Sequence, residues 1–110
     1  RVDMVVTGGE NVFPAEVEAA LDEHPAVRSS VVIGLPDDDL GQRLHAIVDL
    51  GRDDGSVATV SEDDLVEHLR ARLDRYKVPR SVEFVTEPLR TDAGKVRRSQ
   101  LRDERIARGA

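Results

Sequence analysis

Residues 43–50 place Leu44, Ala46, Val48 and Leu50 on one side of the chain and His45, Ile47 and Asp49 on the other. This is the period-two pattern of a β-strand. Upstream, residues 27–35 read as a second strand whose later half is almost continuously apolar. Between them Pro36-Asp37-Asp38-Asp39 forms a turn that Gly41 closes. A chain with this pair at its centre must build a sheet and find helices to cover it. Val17, Ala20 and Leu21 supply one helical stripe, in a helix that starts near Pro14 and ends at Pro25. Glu16 and Glu18 fall in its first turns, where the helix dipole favours acidic groups. Leu65, Val66, Leu69 and Leu73 supply a second stripe, reaching to about residue 75. Ser61 is placed to cap it, with Asp64 three residues on.

The remaining segments complete the outline. Residues 3–6 predict a short strand stopped by Gly8-Gly9, and residues 81–85 predict another. A last helix is expected from about Arg98 to Arg108, with Leu101 and Ile106 as its sparse apolar anchors. The order β, α, β, β, α, β, α predicts a small compact α+β domain. It would hold a short β-hairpin or strand, a central three-stranded sheet and about three helices. At 110 residues, with no repeat and no dividing linker, residues 1–110 read as one domain.

Composition excludes several classes. Hydrophobic residues make up 39% and charged residues 35%, a balance suited to a globular fold and without an apolar run long enough for a membrane span. The start shows no signal-peptide pattern, and the cytoplasm is the expected compartment. There is no cysteine, which removes disulfides, thiolate nucleophiles and cysteine-ligated zinc. The net charge of −6 is uneven: residues 1–89 carry 9 basic and 19 acidic side chains, whereas residues 90–110 carry 7 basic and 3 acidic. A basic tail suits a polyanion or a nucleotide. Nucleic-acid binding is the poorer fit, because Phe13, Tyr76 and Phe84 all lie outside the basic segment and leave it no aromatic ring for a base to stack on.

Only two of the 16 basic residues are lysines, Lys77 and Lys95, and both sit beside turn-forming residues. A lysine is a compact charge on a flexible stem, able to reach into a site where arginine cannot. His24, His45 and His68 have no metal-ligand spacing and read as structural or solvated, and no metal site is expected. Asp37-Asp38-Asp39 lacks the rest of a calcium loop and reads as a solvated turn.

Four segments in order carry a family resemblance. They are Val5-Val6-Thr7-Gly8-Gly9-Glu10-Asn11-Val12-Phe13-Pro14-Ala15-Glu16, Gly34-Leu35-Pro36-Asp37 with Gly41-Gln42, Tyr76-Lys77-Val78-Pro79, and Arg90-Thr91-Asp92-Ala93-Gly94-Lys95-Val96-Arg97-Arg98. Together they resemble the C-terminal domain of the adenylate-forming superfamily, and the first resembles its fatty-acid type of CoA ligase. One departure is Leu89 where that family commonly has proline, with Pro88 one place earlier. The phosphate-binding loop and acid pocket of such enzymes belong to a large N-terminal domain absent from this sequence, so the chain is expected to be a piece of a longer protein.

The resemblance implies a two-step reaction. Acid and ATP, with Mg2+, give acyl-AMP and pyrophosphate, and CoA then displaces AMP. It assigns Lys95 as the catalytic cation of the first step, with Thr91 and Gly94 supporting its loop. It assigns Gly8, Gly9 and Glu10 to the channel for the CoA thiol, and Asp3 to the hinge about which the domain turns between steps. Lys77 is a weaker candidate for CoA phosphates, and the Arg-rich last helix is expected to be a solvated or domain-facing surface. The implied partners are the N-terminal domain of the same parent chain, ATP or AMP, CoA and a carboxylic acid. Two other classes stay open: a stand-alone binding module, and an RNA-binding domain using the basic tail.

Overall fold

A computed structural model describes residues 3–109; Arg1, Val2 and Ala110 lie outside the described residues. The expected α+β architecture is present. A two-stranded hairpin, β1 (Val5–Thr7) and β2 (Glu10–Val12), leads into α1 (Pro14–Asp22). The three-stranded sheet follows, with β3 (Ser29–Asp37) and β4 (Gly41–Asp49) antiparallel. After α2 (Glu62–Arg70), β5 (Ser81–Val85) returns parallel to β4, giving the order β3-β4-β5. Helix α3 (Arg98–Ala107) is the last element.

The alternation in β4 serves a sheet covered on both faces. Leu44, Ala46, Val48 and Leu50 join the larger apolar core with Val17, Leu21, Leu65 and Leu69 of the first two helices. On the opposite face Ile47 packs with Val31, Ile33 and Leu35, under Leu101 and Ile106 of α3. Covering both faces explains the near-continuous apolar run of β3. The strand turn is fixed by Asp37, whose Oδ1 accepts the backbone N–H groups of Asp39 and Leu40, each at 2.9 Å. Those bonds hold the Asp37 carboxyl below its usual range.

Boundaries differ from the sequence expectation for physical reasons. The first strand begins two residues later than expected, and residues 10–12 form a partner strand rather than a lead-in to the helix. Helix α1 stops at Asp22, before Pro25, because a residue preceding proline is disfavoured in the α region. The chain then tightens through Glu23 and His24 N–H bonds to Ala20 and Leu21 carbonyls. Helix α2 ends at Arg70 instead of near 75, although Leu73 still packs on the core. Asp74 is extended there, and a 3-10 turn covers Arg75–Lys77. Ser61 caps α2 as expected, its Oγ accepting the Asp64 N–H at 3.0 Å.

Candidate functional site

The hairpin turn is made by Gly8 and Gly9 alone, since Thr7 pairs with Glu10 across the ladder. Their φ values of +57° and +85° match the two-residue turn that continues strand twist, which side chains resist. The Gly8 N–H donates to the Leu40 carbonyl at 2.9 Å, tying this turn to the β3–β4 turn. Gly8 and Glu10 border an open hollow of about 860 Å3. Its lining includes the apolar Leu40, Leu44 and Val78, the cationic Arg70, Arg75 and Arg80, and the acidic Asp63. Gly9 lies outside that lining, and a side chain there would enter open space. Three guanidinium groups against the two carboxylates of Glu10 and Asp63 leave the lining with a positive balance, which suits a ligand carrying phosphates.

Arg70, Arg75 and Arg80 escaped sequence reasoning, which pointed to Lys77. Lys77 is turned away: its Nζ donates to Glu16 at 2.9 Å, and this bond raises its pKa. The usable signal was Arg80, directly after the Tyr-Lys-Val-Pro segment.

Lys95 occupies a second, smaller hollow of about 270 Å3 with Thr91, Arg97 and Gln100, and the two hollows share no lining residue. The loop is a tight turn. Thr91 N–H donates to the Lys95 carbonyl at 2.9 Å, and Gly94 N–H to the Thr91 carbonyl at 2.8 Å. The Thr91 Oγ1 accepts the Lys95 N–H at 3.2 Å. Gly94 has φ +80°, the value this turn demands. Lys95 is exposed, and among the described residues no carboxylate lies within ion-pair distance of it, in contrast to Lys77.

Asp3 is exposed just before β1 and accepts a bond from Arg98 Nη1 at 2.7 Å. The structure thus places the three expected features at three separate positions on the surface, with Asp3 joined by Arg98 to the helix that follows Lys95.

The last helix is less solvated than expected. Arg105 is buried, and its Nε and Nη2 hold Glu83 at 2.9 and 2.8 Å. Those bonds, with a further one from His45 Nε2 at 2.9 Å, outweigh burial and lower the Glu83 pKa to about 2. Arg102 donates to the Gly34 carbonyl at 2.9 Å. Arg98 grips the buried Glu18 carboxylate at 2.6 and 2.7 Å. Burial opposes the Arg98 charge, but Glu18 and then Asp3 more than compensate, and its pKa is raised. Glu18 is therefore a buried ion-pair partner and not an exposed dipole-stabilising residue. The histidines are structural: His45 also meets Ser81 Oγ at 2.7 Å, and His68 Nε2 donates to the Ala20 carbonyl at 2.6 Å. Among the described residues no cluster of three His, Asp or Glu side chains is placed to hold a metal ion.

Residues 16–95 match the family model of the AMP-binding enzyme C-terminal domain. The chain belongs to that family. The domain is 47% identical over 89 residues to the 3-oxocholest-4-en-26-oate–CoA ligase of Rhodococcus rhodochrous, an alignment covering 81% of this chain and 15% of the relative. It is 43% identical over 100 residues to a feruloyl-CoA synthase of Amycolatopsis, covering 91% of this chain and 20% of that protein. It superposes on the Mycobacterium tuberculosis fatty acyl CoA synthetase with a TM-score of 0.82 at 40% identity, over 96% of this chain and 20% of the other. The domain thus spans a fifth or less of the length of these relatives. Among the described residues no helix is long and apolar enough to cross a membrane.

Proposed function

We propose that this domain is the mobile C-terminal part of an ATP-dependent acid–CoA ligase, working in the cytoplasm against the N-terminal domain of its own parent chain. The observation that carries the reading is Lys95: an exposed ammonium group with no ion-pair partner among the described residues, on a turn anchored at both ends, next to a hollow in a domain of this family. Joining a carboxylate to the α-phosphate of Mg-ATP brings anions together, and a cation set at the reacting oxygens stabilises the charge that develops there. Lys95 is protonated at neutral pH without special tuning. Thr91 and Gly94 give its loop shape.

The second step, displacement of AMP by the CoA thiol, is assigned to the opposite feature. Gly8 and Gly9 leave a bare backbone beside which the pantetheine arm passes, with Glu10 at its edge. Arg75 and Arg80 replace Lys77 as the groups that meet CoA phosphates. Two features on separate hollows fit a domain that turns between steps, and Asp3, just outside β1, is the hinge we assign. Three of the seven basic residues of the tail, Arg90, Arg98 and Arg105, are engaged by Glu18 and Glu83, which reduces what the tail offers to RNA.

The test is ATP–pyrophosphate exchange and thioester formation. The full-length parent protein is expected to perform both with a carboxylic acid and CoA. The isolated 110 residues are expected to perform neither, having no phosphate-cradling loop and no acid pocket; robust exchange by the isolated chain would overturn the assignment.

A further inference from the structure

The proposed chemistry leaves Glu18, Asp49 and Arg105 as buried charged groups without a part in it, and of these Glu18 touches both flanks of the lysine loop. Glu18, on α1, has a side chain only 6% exposed. Its carboxylate collects the Val32 N–H at 2.8 Å, Arg98 Nη2 at 2.6 and 2.7 Å, Arg98 Nε at 3.3 Å and Arg90 Nη2 at 3.2 Å. Arg90 and Arg98 immediately flank the segment 91–97 that carries Lys95. Arg90 is held further by Ser29 Oγ at 2.6 Å and the Ser30 carbonyl at 2.7 Å. A single carboxylate on a helix far away in sequence thus grips the entry and the exit of the loop.

We propose that Glu18 is a positioning residue for Lys95. The inference rests on the reading of Lys95 as the cation of the adenylation step. Among the described residues, the shape-giving bonds inside the loop are those of the Thr91–Lys95 turn, and residues 91–95 are all exposed. Such a turn keeps its own shape but does not fix its place on the domain. Its place is set by the two arginines, and theirs by Glu18, whose own orientation is locked by the β3 backbone. The fork of Arg98 on both oxygens adds directional constraint that a point charge lacks. A catalytic group contributes most when it is held in place before the reaction, and a displacement of about 1 Å is enough to cost on the order of 100-fold.

The experiment uses the full-length protein and measures exchange, thioester formation from a supplied acyl-adenylate, and thermal unfolding. Glu18→Gln retains the shape and an acceptor for the Val32 N–H while removing the charge. It is expected to lower the exchange rate by about 10- to 100-fold with thioester formation within about twofold. In the Lys95→Ala background the same change should cost almost nothing more, because Glu18 acts through Lys95. Arg98→Lys is the second variant, for use if Glu18→Gln fails to fold; it keeps charge, loses the fork, and should show the same split in milder form. Glu16→Gln, one turn edge away and outside the cluster, should leave exchange unchanged. Equal losses in both half-reactions, or a full additional loss in the Lys95→Ala background, would overturn the inference and leave Glu18 a purely structural residue. If Lys95→Ala itself leaves exchange intact, it is the reading of Lys95 that fails.

Discussion

Around Gly8 and Gly9 the chain is shaped by its own backbone: two positive φ angles, a two-residue hairpin and one N–H bond to Leu40. Around Lys95 the turn itself is just as local, but its seat on the domain is made by side chains brought from α1 and β3. The two residues of the first turn carry no charge, and their shape comes from backbone angles and backbone bonds. The second depends on charges that meet only when the whole domain is assembled. On the proposed function the difference has a reason: lining a passage needs bare backbone, whereas presenting a charge needs that charge held at a defined place.

Changes at each loop should therefore fail in different ways. The largest effect is expected at Lys95. In the full-length protein Lys95→Ala should lower adenylation by about 10²–10³, or roughly 3–4 kcal/mol, the usual loss for one preorganised donor. Thioester formation from supplied acyl-adenylate should change far less. Lys95→Arg should not restore the rate, because a planar guanidinium does not fit where a compact ammonium does. Lys77→Ala, which breaks the pair with Glu16 and the contact with the Tyr76 ring, both remote from Lys95, should leave adenylation within about twofold.

The next effect belongs to the glycine turn and should have the opposite signature. Gly9→Trp projects a ring into open space from a backbone angle that side chains avoid. Thioester formation should fall by about tenfold or more while adenylation falls less, with strain of roughly 1–3 kcal/mol appearing as lower stability. Rapid-mixing assays of each half-reaction decide it: equal losses would mean that the turn has only been distorted.

The smallest effect concerns acid. Glu83 has its pKa lowered from 4.5 to about 2 by Arg105 and His45, so its contribution to stability is complete above pH 4.5. That contribution disappears as the pH falls from about 4.5 through about 2. Denaturant titrations should show the loss in the unmodified domain, and Glu83→Gln should lack this part of the acid decline. Hydrogen exchange should find the α3 amides affected before those of β1 and β2, whose ladder contains no such pair.

The same contrast explains what the sequence disclosed. Period-two alternation marked β4, and an apolar stripe marked α2, because both are written in consecutive residues. Gly8-Gly9 and Gly94-Lys95 were legible for the same reason. Strand β2 was not: in Glu10-Asn11-Val12 only Val12 is buried, so no alternation announces it. Glu18 was read as an ordinary first-turn acid because its deciding partner, Arg98, lies 80 residues further on. Arg75 and Arg80 gained meaning only when the 3-10 turn set them beside Gly8. The pairing of Lys77 with Glu16 is hidden for the same reason, since 61 residues separate the two.

The late position of α3 has a consequence for synthesis. One face of the sheet, formed by Val31, Ile33, Leu35 and Ile47, is covered by residues between Val85 and Ile106, the last of the fold to leave the ribosome. A nascent chain that has emerged only through β5 can close its larger core under α1 and α2 while that second face is still bare and Glu18 still lacks both arginines. For that interval the half-made domain displays an apolar sheet surface beside an unpaired carboxylate. Chaperones recognise such a surface, and neighbouring chains stick to it. The arrival of α3 ends that exposure in the same event that seats the lysine loop.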